Sequence, residues 1–461
     1  MNTSSRKRGG FFFSLFACIL FFTAAQTLYS QTVSSNTQAI LTEVSLLLAR
    51  RDYPAALTLF DQIEQSEAQS TEIQLLKAAV LNSARRTAEA RAIAQGILVQ
   101  EPSNIDAQMM LAACAAMEGK DREQRTTLER VIRADPGNVK ALSDLGYIAL
   151  TAQSLRTAGN YFDQALAVDG SYGDALVGRA TVYRYNRDSR RAEQMLNHAI
   201  RLYPQWANPL HERGRLYKST GFTADALADF AAAKRLAPDN AWIIVDLGTV
   251  LVELDRKSEA LAEFNTAILI DPNNFLAYVY RAGIKDDAGD YAAAESDYLT
   301  LTRLRPEYYF AYESLGMIYM RNQQWVAARD AFLAAYRQAP REYNYALLAA
   351  MNWMRGGRPS DPKQFLAQVL RTAPRDSAEW YMLRLYHDLA GDGDAAVRID
   401  REQNLDAKSK MLFYLANYYD IRGNRTLADR YFLQVQEMNR YMTFEWRINE
   451  LFIEQRGIKG F

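Results

Sequence analysis

Small and large apolar residues recur along this chain in fixed columns that repeat every 34 residues. One column of small residues reads Ala56, Ala90, Ala158, Ala192, Ala226, Ala260, Ala294 and Ala328, broken only by Gln124. Four residues further on runs a column of large ones: Phe60, Leu128, Phe162, Leu196, Phe230, Phe264, Tyr298 and Phe332, with Ala94 in the remaining place. A third column is small again: Ala78, Ala112, Gly146, Ala180, Gly214, Gly248, Ala282, Gly316 and Ala350. Pro102, Pro136, Pro204, Pro238, Pro272, Pro306, Pro340 and Pro374 close the period, with Gly170 filling the missing place. Self-similarity at this spacing is the signature of a stacked helical repeat.

The columns have a physical meaning. Residues four apart share one face of a helix, so the Ala and the ring mark a single packing stripe. The small residues of the third column let a partner helix approach closely, and the large side chain fills the space beside them. Proline resists helix interiors and marks the boundary where the second helix ends. Asn104, Asn138, Asn240 and Asn274 follow their prolines by two residues and are placed to cap the next helix. Gly119, Gly221, Gly289 and Gly357 punctuate the turn inside a unit.

Each period therefore predicts one helix pair. The units begin near Thr37, Thr71, Ile105, Val139, Gly173, Ala207, Ala241, Phe275, Tyr309, Tyr343 and Ser377, with a twelfth near Ser409. The last three are irregular. Pro362 occupies the Ala column of the tenth, with Ser360 or Asp361 as a cap and Pro362 in the first turn. Gly391-Asp392-Gly393-Asp394 predicts a late, brief second helix in the eleventh, and the twelfth is displaced by two residues. Beyond it, Met442, Phe444, Ile448, Leu451 and Phe452 have helical spacing, as an amphipathic helix capping the open end of an array would.

The pattern resembles the tetratricopeptide repeat family over nearly all of the chain after residue 36. The unit from Val139 carries it as Leu142, Leu145-Gly146, Ala158, Phe162 and Ala165, and Tyr183, Tyr217 and Tyr319 fill the Tyr place elsewhere. The family's Trp place departs, holding mostly Leu, Ile or Tyr, with Trp only at Trp380. The resemblance implies an all-α, right-handed superhelical solenoid of about twelve antiparallel helix pairs with a C-terminal capping helix. The expected organisation is a signal peptide or anchor over 1–25, a linker over 26–36, the array over 37–442 and the cap over 443–461.

The N-terminus has a character of its own. Arg6, Lys7 and Arg8 precede an apolar run from Phe11 to Phe22, and Thr23, Ala24 and Ala25 follow, the order of an export signal. The run is short of the roughly 20 residues that span a bilayer. Cleavage is expected after Ala25, with Ser30 the next site; a retained anchor and acylation of Cys18 are the alternatives. The protein is thus expected to be exported, periplasmic or associated with the outer envelope. Removal of the signal would leave Cys114 as the only thiol.

Charge adds an exclusion. Lys plus Arg balance Asp plus Glu at 54 each, so no long-range field draws the chain to nucleic acid. Its three histidines, His198, His211 and His387, fall in different repeats, which disfavours a metal triad or a nucleophile–base pair. No phosphate-binding loop motif occurs. The sequence points to no catalytic residue, metal or cofactor.

The resemblance also implies which residues line an inner groove, through the second, fifth, ninth, twelfth and thirteenth places of each first helix. Those are Tyr147; Arg184 and Tyr185; His211, Arg215 and Lys218; Val245, Thr249, Val252 and Glu253; and Asp286 and Asp287. Phe310, Glu313, Met317, Met320 and Arg321 come next, then Leu347, Met351, Met354 and Arg355. The basic, aromatic stretch from Arg184 to Lys218 suits carboxylates of a ligand. The stretch from Met317 to Met354 suits an apolar peptide. The Lys/Asn pattern with which some relatives clamp a C-terminal carboxylate is missing from the matching places. The expected function is a non-enzymatic protein–protein interaction scaffold of the cell envelope, holding proteins or peptides in its groove. The alternative is a membrane-anchored spacer or assembly factor whose groove is not the main binding surface.

Overall fold

The computed structural model describes residues 34–357 and 362–458. The expected leader, Cys18 and the start of the expected linker lie outside the described residues. Among the described residues there are 26 α-helices, one 3-10 turn at Phe60–Gln62 and no strand. The chain divides into two compact units, the first ending at Pro238 and the second beginning at Asp239.

In the first unit the regular pairs run from Thr71–Ser83 with Thr87–Gln100 to Ala207–Thr220 with Thr223–Leu236. The opening pair is irregular: Ser35–Ala49 is followed by the short helix Tyr53–Leu59, the 3-10 turn and Gln65–Ala68. In the second unit the pairs run from Ala241–Glu253 with Lys257–Ile270 to Leu405–Ile421 with Arg425–Glu437, and Phe444–Arg456 follows alone. Inside each unit, a second helix packs on the first helix of its own repeat and on that of the next, and first helices meet directly in several adjoining repeats, such as Val139–Thr151 with Gly173–Tyr185. The first helices therefore line one side of each unit, its inner face.

What draws each pair together is a match of volumes. Where the third column is glycine, the residue sixteen places on is Phe: Gly146 with Phe162, Gly214 with Phe230, Gly248 with Phe264 and Gly316 with Phe332. A Cβ on any of these four glycines would stand 2.5–2.7 Å from a ring carbon of that Phe, closer than atoms can sit. Where the column is Ala, the partner is Leu in Ala112/Leu128, Ala180/Leu196 and Ala350/Leu366, and Tyr in Ala282/Tyr298. The four Phe rings are completely buried. Backbone and ring thus meet face on, at the density of a crystal interior.

The turn inside each pair imposes a second constraint. Positive φ recurs every 34 residues, at Arg51, Arg85, Gly119, Gln153, Arg187, Gly221, Asp255, Gly289, Gln323 and Gly357. Glycine holds four of these places and side chains with a Cβ hold six, so the turn dictates the left-handed geometry whatever residue occupies it. Asn104, Asn138, Asn240 and Asn274 cap the following helices, each accepting a backbone N–H at 2.8–3.1 Å. Arginine adds a polar clamp: Arg213 binds Asp229 of its own repeat and Asn197 of the preceding one, and Arg281 likewise binds Asp297 and Asn265, all at 2.6–2.9 Å.

The later repeats differ from the expected ones in detail. Pro362 stands at the cap rather than in the first turn, ahead of Lys363–Thr372; Ser360 and Asp361 lie outside the described residues. The second helices of repeats ten and eleven span 10 residues instead of 14. The twelfth repeat starts at Leu405, not near Ser409, because Asn404 accepts the N–H groups of Asp406 and Ala407, both at 3.0 Å.

A left-handed residue with a Cβ costs roughly 1–2 kcal/mol relative to glycine. Gln153→Gly, at φ 59°, should therefore stabilise the first unit by about 1 kcal/mol in urea unfolding, whereas Gln108→Gly, inside a helix, should destabilise it.

Candidate partner-binding faces

On the inner face of the first unit, repeats four to six bring Tyr147, Arg184, Tyr185, His211, Arg215 and Lys218 onto consecutive first helices. Tyr147 is half-buried: its ring stands edge-on to Phe162 at 5.2 Å and its hydroxyl donates to the Asp174 carbonyl at 3.0 Å. It works as a strut between repeats four and five. His211 is buried against Phe230 and is not a free contact. The Arg184 guanidinium lies 4.7 Å over the Tyr185 ring, which is 50% exposed.

One residue that the groove columns did not include organises this strip. Glu212, buried between the arginines, accepts from Arg184 at 3.2 Å, from Arg215 at 2.8 Å and from Thr181 at 3.4 Å. Burial pushes its carboxyl up, but the charges of Arg215 and Arg184, with His211 behind them, outweigh it and hold the carboxyl at about 2. Glu212 sits one place off the columns credited to the groove. Its signal in the sequence is the three-residue spacing to Arg215, on the same side of the helix. Beside it, repeats four and five carry two acids with few partners: burial pushes Asp144 up to about 6, against the pull of Lys140 at 3.4 Å, and raises Asp174.

The inner face of the second unit contradicts the expected methionine-rich groove. Met320, Met351 and Met354 are buried in the core, as are Val245 and Leu347, so none of them faces an open surface. Repeats ten and twelve come into direct contact here. Arg355 donates to Asn417 at 2.6 Å and Asp420 at 2.7 Å, and the Tyr414 hydroxyl donates to the Asn344 carbonyl at 3.3 Å. The Arg355 guanidinium also lies 4.5 Å over the Phe452 ring. Phe310 remains 48% exposed, in an aromatic cluster with Tyr308 and Tyr309.

The rest of this face is taken by the chain itself. Helix Phe444–Arg456 packs on both helices of repeat twelve, with Phe452 stacked on Phe432 at 5.5 Å. It then reaches back to repeat nine, where Arg447 approaches the Met317 sulfur at 3.9 Å, Gln455 donates to the Arg321 carbonyl at 2.9 Å and Arg321 faces Glu454 at 3.5 Å. Phe444 meets Phe332 edge-on at 6.4 Å. A cavity of about 400 Å³ remains between this helix and repeats eight and nine, lined by Asp286, Tyr291, Met317 and Arg321 on one side and Arg447, Glu450 and Glu454 on the other.

Family models described as tetratricopeptide repeat match residues 47–114, 243–274 and 284–343. The chain is a multi-repeat tetratricopeptide repeat (TPR) protein. Among solved structures it is similar to the crystal structure of the APC/C hetero-tetramer Cut9–Hcn1, at 18% identity, with 70% of this chain and 64% of that chain covered and a TM-score of 0.51. It is also similar to pilF of Pseudomonas aeruginosa, at 20% identity over 44% of this chain and 92% of that one, TM-score 0.38. YrrB, described as a TPR protein with an unusual peptide-binding site, matches at 18% identity over 40% of this chain and 95% of that one, TM-score 0.29. The first of these supports the shared fold. No curated protein matches the sequence.

As a TPR protein it belongs to a fold that serves protein–protein interaction. Among the described residues no group of three or more His, Cys, Asp or Glu is arranged to hold a metal, and no helix is long and apolar enough to cross a membrane. Cys114 is buried and its thiol is pushed up to about 11, which keeps it a packing residue rather than a nucleophile. His387 binds its neighbour Asp388 at 2.6 Å.

Glu212 yields a test of this geometry. A carboxyl whose folded value is depressed contributes stability above its unfolded value, about 4.3, and loses it as pH falls towards the folded value. Glu212→Gln should cost the first unit on the order of 2–3 kcal/mol at pH 7, with the gap from wild type closing between pH 5 and pH 2. Urea unfolding across that range measures it.

Proposed function

We propose that this TPR protein is a non-enzymatic scaffold whose first unit binds an acidic segment of a partner protein along repeats five and six. The observation that carries the reading is the half-exposed Tyr185 under the Arg184 guanidinium, on a face continued by the partly exposed Arg215 and Lys218. A fixed aromatic ring with cations beside it offers both apolar area and charge-assisted hydrogen bonds to a carboxylate. Glu212 supports this role. By holding Arg184 and Arg215 in place it lowers the entropy lost when they meet a ligand. The protein works outside the cytoplasm, in the periplasm or at the outer envelope, as the Arg6–Arg8 start and the apolar run to Phe22 suggest.

A photo-crosslinking residue at Tyr185 in cells should give adducts with a partner, and the same residue at Val168, exposed on a second helix, should not. With the partner identified, Arg215→Glu/Lys218→Glu should weaken binding at least tenfold and flatten its salt dependence. N-terminal sequencing of the native protein from the same cells should begin at Gln26. Equal adducts at both positions, or binding unchanged by the charge reversal, would remove this face as the binding surface; a Met1 start would remove the cleaved signal.

A further inference from the structure

We infer that helix Phe444–Arg456 is a displaceable occupant of the inner face of repeats nine to twelve, and that the partner admitted there is an amphipathic helix with an apolar stripe and a basic flank. The inference rests on the reading that TPR inner faces of this protein receive partner segments, and it adds how one of them is controlled.

The occupant defines the chemistry of the seat. Phe444, Ile448, Leu451 and Phe452 form a stripe at the i, i+4, i+7, i+8 spacing by which a helix lies in a groove. On the array side the stripe meets Phe332, Phe413 and Phe432. Two arginines of the helix meet acids of the seat, while Glu454 faces Arg321 at 3.5 Å. Arg447 acts electrostatically on Asp286 and Glu313, and Arg456 pairs with Asp420 and, at 2.6 Å, with Asp429. Charge complementarity of this kind selects partners as well as orienting them.

Several features separate this helix from a permanent part of the core. Its two ends are held unequally: ring stacking ties it to repeat twelve, whereas its contacts with repeat nine are one edge-on ring contact, Phe444 with Phe332, and otherwise polar ones that leave the 400 Å³ cavity open beside them. Its buried side carries Glu445 and Asn449, both fully buried, and one oxygen of each lacks a hydrogen-bond partner. Such groups cost free energy in place and are relieved when the helix leaves. Glu445 sits against the Tyr414 hydroxyl at 3.1 Å, with Lys410 and Glu379 the other charges acting on it. The segment that joins the helix to repeat twelve exposes Tyr441 by 60% and Met442 by 86%, and Arg440, paired with Asp406 at 2.6 Å, ties it to the repeat. Elements with this profile lie at the low end of local stability.

Hydrogen exchange on the full chain tests the first half of the inference. Amides of residues 446–455 should exchange at least tenfold faster than those of 411–418 in the helix beneath. A fluorescein-labelled peptide of residues 440–458, followed by anisotropy, tests the second half. It should bind the full-length Phe444→Ala/Arg447→Ala variant at least tenfold more tightly than wild type, and Asp286→Lys/Glu313→Lys added to that variant should abolish the gain. Equal protection of the two helices in wild type would overturn the inference. So would a loosened variant that fails to gain affinity, or one that loses protection over 411–418 as well. A chain that takes up the peptide yet gives no adducts at Tyr185 would sink the first-unit reading and leave this one standing.

Discussion

The structure depends on one repeated contact: a large side chain of the second helix pressed onto a residue of the first helix with little or no side chain. At Gly146, Gly214, Gly248 and Gly316 the contact is a phenyl ring on bare backbone, with no room for a Cβ. Glycine inside a helix weakens it by roughly 0.5–1 kcal/mol, so its use at four such places marks a packing demand stronger than helix propensity. Burying a Phe side chain contributes about 1.5–3 kcal/mol, enough to offset that loss. The closeness of the two helices follows, and with it the direction in which the rest of each first helix faces.

From that spacing the candidate binding faces are derived. Each second helix is wedged between the first helix of its own repeat and that of the next, so the first helices present a strip along one side of each unit. In repeats five and six the strip stays accessible, and its buried carboxylate Glu212 fixes two arginines in place. In repeats nine to twelve the shortened second helices, 10 residues long in repeats ten and eleven, accompany direct contact between first helices two repeats apart. The same kind of surface is then filled by the chain's own terminal helix.

Much of the fold was legible because its determinants are local and periodic. The three apolar columns, the capping asparagines and the prolines each act within one repeat, and a 34-residue grid exposes them to inspection. The site was legible only in part. Tyr185 and Phe310 are exposed as their places imply, but Met320, Met351 and Met354 lie in the core. They share one core cluster with Leu412, Phe413 and Leu415 of repeat twelve, a long-range partnership that no local pattern announces. Glu212 was hidden for the opposite reason: it lies beside the groove columns, and only a search for carboxylates one helical turn from each groove arginine would have found it. The left-handed turn was half visible, signalled by Gly119, Gly221, Gly289 and Gly357 and masked where Gln153, Arg187 or Gln323 takes the same conformation.

The central claim is that the small residue and the ring are a matched pair, and a double-mutant cycle at Gly248 and Phe264 tests it most directly. Gly248→Ala alone places a Cβ 2.6 Å from the ring and should destabilise the second unit despite the better helix propensity. Phe264→Leu alone opens space against a bare backbone and should also destabilise it. Together they recreate the Ala/Leu pair that repeats three, five and ten already use. The double variant should then be more stable than the sum of the two losses by at least about 1 kcal/mol in urea unfolding. Additivity within about 0.3–0.5 kcal/mol would contradict the claim, because the two positions would not be sensing one another.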